Sequence, residues 1–180
     1  MSSDRPDDLA LDADVLMNLL ATDRLEEILA ANGLRGVVCP RTTAETVYLN
    51  ARAPGPSRET IDLAPHIAAG TIVTTTLSED ETATYVRFAA EVDDREAQVL
   101  AVGLHRGLAV ATDDRRARRV GAREEVKLLS TPELILRWAH HSGRSTDDLS
   151  QAVVDIEVRA RYRPRPADPN RAEWDRLRDG

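Results

Sequence analysis

A chain of 180 residues is long enough to bury a sizeable core and is most simply one domain. With 42% hydrophobic and 31% charged residues and a net charge of −7, it reads as globular rather than disordered or fibrous. It has no apolar run of membrane-spanning length, no signal-peptide pattern in its acidic start MSSDRPDD and a single cysteine, Cys39. That excludes an internal disulfide and a cysteine-built metal cage, and a cytoplasmic setting is expected.

Residues 1–8 read as a polar N-terminal segment. Leu9–Leu11 is a short apolar strand, followed by a buried helix in ADVLMNLLAT. DRLEEILAANG predicts a second helix, with Asp23 as N-cap, Glu26 at capping-box distance and Gly33 as its stop. GVVCP is a strand ending at Pro40, and that proline opens a helix over PRTTAETVYLNA. RAPGPS is a loop, and ETIDLAPHIAAG a short helix broken at Pro65. The β-branched TIVTTT is a strand. Helices are predicted over 78–90 and 94–105, then a strand at 108–111, a helix at 114–120 and a strand in EVKLL. Residues 131–160 hold two further helices, 131–141 and 146–160, packed on the domain, and 161–180 form an irregular Arg/Pro-rich tail. Strands alternating with helices, apolar without period-two alternation, predict an α/β/α three-layer sandwich with a central, mostly parallel sheet and extra C-terminal helices.

Charge is unevenly spread. Residues 1–100 carry 8 basic and 18 acidic side chains; residues 101–180 carry 16 basic and 13 acidic. All basic residues but Lys127 are arginine, a bias that genomic composition produces without any phosphate contact.

In open α/β sheets, ligands sit beyond the carboxyl ends of the strands. Asp12 closes the first strand and Asp113 the strand in LAVATDD, so neighbouring parallel strands would set the two side by side. Carboxylates brought together repel unless a cation or shared proton compensates. In DDREAQVLAVGL, the stripe Ala97, Leu100, Ala101, Leu104 includes Asp94, while Asp93 and Glu96 have capping-box spacing. Glu45 shares an edge with Thr42, Tyr48 and Leu49. Four converging acids form an oxygen-only set suited to Mg2+ or Mn2+, the chemistry of phosphodiester cleavage. The four histidines fall in no ligand spacing.

LDADVLMNLL, PRTTAETVYL, DDREAQVLAVGLHRG and ATDDRRARR, in that order over roughly residues 9–130, resemble the four acidic motifs of PIN-domain ribonucleases, the family that contains VapC-type toxins of toxin–antitoxin pairs. The resemblance implies a PIN-like nuclease domain over 9–130 and Mg2+- or Mn2+-dependent cleavage of single-stranded RNA. It implies Asp12, Glu45, Asp94 and Asp113 as the first to fourth acids, with Thr112 as the small hydroxyl residue before the last and Asp114 as an auxiliary acid. Asp14 stands where the family usually has Ser or Asn. DDREA departs from the usual third motif, which leaves Asp94 and Glu96 as alternatives; the helical stripe favours Asp94.

Arg115, Arg118 and Arg119 share a helical face beside this site and are the candidate RNA contacts; Arg116 lies off it. Arg159, Arg161, Arg163 and Arg165, with Tyr162, offer a second surface for RNA or an acidic partner. The family further implies a cognate antitoxin, and the C-terminal helices are candidates for a homodimer contact. The rival readings are a non-catalytic PIN-like module that binds RNA or protein, and a metal-dependent phosphatase. The absence of a Gly-rich phosphate loop argues against the phosphatase.

Overall fold

A computed structural model describes residues 6–40, 42, 47–51 and 58–180. In chain order, β1 (Asp7–Leu11) leads into α1 (Ala13–Ala21), α2 (Leu25–Ala31) and β2 (Leu34–Val38). Strands β3 (Val47–Asn50) and β4 (Arg58–Ile61) precede α3 (Ala64–Ala68) and β5 (Ile72–Thr74). Then come α4 (Glu79–Phe88), α5 (Asp94–Arg106), β6 (Ala109–Ala111), α6 (Arg115–Arg123) and β7 (Leu128–Leu129). The chain closes with α7 (Thr131–His141), α8 (Thr146–Asp155), a π-helical turn at Ile156–Ala160, and α9 (Arg171–Asp179).

Five strands form one all-parallel sheet in the order β5-β2-β1-β6-β7. Side chains alternate between its faces. Leu9 and Leu11 join a core with α1, α2, α7, α8 and α9, while Ala10 and Val110 join a second core with α4, α5 and α6. Both faces are therefore covered, which is why the strands carry no polar alternation. Among the described residues no helix is long and apolar enough to cross a membrane.

Several elements depart from the sequence expectation. Asp23 does not cap α2: it lies in the left-handed region at φ +56°, Arg24 is the N-cap, and no side chain caps it. Asp23 instead takes a bond from Arg159, whose guanidinium is 3% exposed and also reaches Glu59 (2.9 Å) and the carbonyl of Ala21. Arg159 is thus a buried strut, not part of a contact surface. Pro40 and Thr42 are helical as expected, but the helix does not run to Ala51. Val47–Asn50 pairs antiparallel with Arg58–Ile61, and Leu49 is fully buried, so tertiary pairing overrides the helical reading of VYLN. The predicted loop at 52–57 lies outside the described residues. Pro65 opens α3 rather than breaking it, since its missing N–H is an unbonded position in a first turn anyway. The tail, finally, is not irregular throughout. Residues 171–179 form α9, anchored by the fully buried Trp174.

Candidate functional site

β1 is the central strand. The chain moves outward from it to β2 and β5, then crosses to β6 and β7, so the crevice beyond the carboxyl ends of β1 and β6 is the switch point where α/β sheets place ligands. Asp12 stands there as the N-cap of α1. Its Oδ1 accepts from the Ala13 N–H at 2.7 Å and its Oδ2 from the Thr112 hydroxyl at 2.8 Å. The residue is 4% exposed. Burial pushes its carboxyl up to about 6; Asp14 and Asp93 push the same way, and the Thr112 and Ala13 bonds pull against them. Thr112, fully buried, also accepts from the Asp114 N–H at 3.3 Å and so joins the two strand ends.

For the third acid, the structure departs from the helical stripe. Asp94 is exposed on the first turn of α5, whereas Glu96 is half-buried. The Glu96 carboxyl is pushed up to about 7, first by burial and then by Asp93, Asp114 and Asp12, while it also accepts the Asp93 N–H of the capping box at 3.2 Å. Gly103 explains the difference. A Cβ at Gly103 would stand 2.2 Å from the Val110 side chain, so Gly103 marks the line of α5 nearest the sheet. Glu96 lies seven residues before it, on that same line. The predicted stripe was too narrow, because Gln98, Val99 and Val102 are buried as well.

Two adjacent aspartates follow β6 and face different surroundings. Asp113 accepts from the Thr131 N–H (2.9 Å), the Thr131 hydroxyl (2.6 Å) and the Asn18 amide (3.2 Å). Burial raises its carboxyl while the Thr131 and Tyr162 hydroxyls hold it down. It therefore ties together α1, α7 and the C-terminal segment. Asp114 caps α6, with Oδ1 accepting from Arg116 N–H (2.6 Å) and Ala117 N–H (2.9 Å), and its charge reaches Glu96. Asp14 and Asp93 push on the Asp12 carboxyl, and Asp93, Asp114 and Asp12 push on that of Glu96. Glu45 lies outside the described residues.

Of the candidate RNA contacts, Arg115 and Arg119 are exposed, and both line a cleft next to these acids. Arg118 lines it too, but its Nη1 donates to the carbonyls of Thr112 and Leu129, each at 3.0 Å, so it ties the ends of β6 and β7 together. Asn18 and Thr131 escaped the sequence reading. The signal for Asn18 was a polar residue amid Leu16, Leu19 and Leu20; it is 2% exposed and bonds both Asp113 and Thr131. The histidines stand apart: His66 meets Glu26 at 2.8 Å, His105 meets Thr84 at 2.8 Å, and His140 and His141 are exposed.

Asp12, Glu96 and Asp114 offer only oxygen donors, the kind a hard cation prefers, and Asp93, Asp114 and Asp12 all push on the Glu96 carboxyl. Burial pushes the nearby Cys39 thiol up to about 11. Among the described residues, no three His, Cys, Asp or Glu are gathered into a group that could hold a metal ion.

Fold and site together define an α/β protein with carboxylates at the switch point of a parallel sheet. Compared with known protein families and with curated proteins, the chain matches none.

Proposed function

We propose that the chain is a PIN-like, metal-dependent endoribonuclease of the cytoplasm that cuts single-stranded RNA, the toxin of a toxin–antitoxin pair. The observation that carries this reading is the Asp12–Thr112 pair across β1 and β6, with Asp12 and Asp114 both pushing on the Glu96 carboxyl. In this reading Asp12, Glu96 and Asp114, with Glu45, hold Mg2+ or Mn2+. The bound cation supplies a polarised phosphoryl oxygen and water of lowered pKa. The protein supplies the rest. Thr112 fixes the Oδ2 of Asp12, the Asp114 cap fixes the start of α6, and Arg115 and Arg119 take phosphates. An antitoxin and a homodimer belong to the same reading.

The test is cleavage of a mixed pool of single-stranded RNAs by the purified protein in EDTA, Mg2+ and Mn2+. Asp12→Asn and Glu96→Gln should each lose more than about a hundredfold in rate, beyond the 10–100-fold typical of residues behind a ligand. Asp94→Asn should cut like the wild type. Retained cutting in Asp12→Asn removes that residue from the mechanism. RNA binding without cutting in either metal would favour a non-catalytic RNA-binding module.

A further inference from the structure

Between α6 and the segment 161–170 runs a cleft of about 710 Å3. Six arginines line it, and they fall into two groups. Arg118 is spent on strand-end carbonyls, and Arg163 pairs with Glu157 (3.1 Å) and Asp175 (2.8 Å). Arg115 and Arg119 on α6, and Arg161 and Arg165 opposite, have no acid within ion-pair distance among the described residues; all four are exposed. Arg161 sits in the left-handed region at φ +56°, a conformation uncommon for a non-glycine residue. Arg165 lies between Pro164 and Pro166, which stiffen the wall. Asp14 and Asp114 line the same cleft.

These four guanidinium groups share the cleft with the carboxylates Asp14, Asp113, Asp114, Glu133 and Asp168 but stand in no ion pair with them, and their planar donor forks are left to match phosphate oxygens. We propose that this cleft seats consecutive backbone phosphates of a single nucleic-acid strand, between Arg115 and Arg119 on one wall and Arg161 and Arg165 on the other. The C-terminal segment is then half of the strand's path. Resting on the nuclease reading, the next phosphate along reaches the acids. An acidic peptide would offer carboxylates to the same guanidinium forks, and competition by polyglutamate distinguishes it from a nucleic-acid strand.

The test is fluorescence anisotropy in EDTA with a labelled 5′-hydroxyl single-stranded RNA of about a dozen nucleotides, titrated at several salt concentrations. Arg161→Gln/Arg165→Gln should weaken binding about tenfold and flatten the salt slope by about 1.4, near 0.7 for each phosphate that is no longer neutralised. Arg116→Gln, on the same helix but outside the cleft, should bind within about twofold of wild type. A double variant with unchanged affinity and slope, or an equal loss in Arg116→Gln, overturns the proposal. So does wild-type binding that requires a 5′-phosphate, or that polyglutamate competes for and RNA does not. Intact binding without cutting in any metal sinks the nuclease reading and leaves the strand path; cutting indifferent to Arg161 and Arg165 sinks the path alone.

Discussion

Asp12 closes β1 and starts α1, so one carboxylate meets two opposed demands. As a cap it is held by the Ala13 N–H and the Thr112 hydroxyl; as a buried charge near Asp14 and Asp93 it is pushed up from 3.8 to about 6. Folding thus raises its proton affinity. The associated stability is complete below about pH 4 and is lost as pH rises through about 6, on the order of 3 kcal/mol for a shift of this size. Glu96, raised from 4.5 to about 7, works in the same direction over a window reaching neutral pH. Asp12→Asn keeps an oxygen for the Ala13 N–H and removes the charge, while the Thr112 bond reverses so that the amide donates to the hydroxyl. Without metal it should therefore melt higher than wild type at pH 8, with the two curves converging at pH 4. Thermal unfolding at both pH values checks this. A variant less stable than wild type at pH 8 would mean that the Thr112 bond to the carboxylate outweighs the cost of burying its charge.

At the scale of elements, α5 decides how the site is assembled. Gly103 lets the helix lie against Val110, and that approach brings Glu96, two turns earlier, to the end of β1. Gly103→Ala gains about 1 kcal/mol of helix propensity but drives a Cβ into a buried β-branched side chain of the sheet. Overpacking of this kind costs about 1–3 kcal/mol, so a net loss of stability is expected. Urea denaturation should show it, and adding Val110→Ala should recover part of the loss; strictly additive effects would mean that the two residues do not meet. The same glycine shows why the site was only partly legible. Asp12 and Asp113 could be placed because apolar runs without alternation announce covered strands, and their ends follow directly. Choosing between Asp94 and Glu96 required knowing which line of α5 faces the sheet, and a helix buried around most of its circumference does not reveal that through its apolar stripe. A glycine inside the helix was the available signal. Nor could sequence separate Asp113 from Asp114, because their difference is made by Thr131 and Asn18, 18 and 95 residues away from Asp113.

At the scale of the whole molecule, the C-terminal segment belongs to the core. RAEWDRLRD offers only Trp174 and Leu177 as large apolar residues, too few to signal a docked helix by pattern, yet Trp174 is fully buried. Its indole donates to Glu157 at 3.0 Å and meets the Tyr162 ring edge-on at 6.0 Å, and the Ser150 hydroxyl bonds the Arg178 carbonyl at 2.7 Å. Trp174 shares one cluster with Trp138 of α7 and with Leu9 and Leu11 of β1, so unfolding should be a single cooperative event. The two tryptophans, the only ones in the chain, make this testable. Trp174→Phe leaves Trp138 as reporter of the sheet side, and Trp138→Phe leaves Trp174 as reporter of the tail. Within each variant, the fluorescence and far-ultraviolet circular dichroism transitions in urea should coincide. If the Trp174 signal is lost at lower urea than the dichroism, the tail melts as a separate unit, and the cleft wall carrying Arg161 and Arg165 opens while the sheet remains folded. Coincident transitions would instead hold that wall to the stability of the whole domain, keeping the cleft formed wherever the carboxylate site is formed.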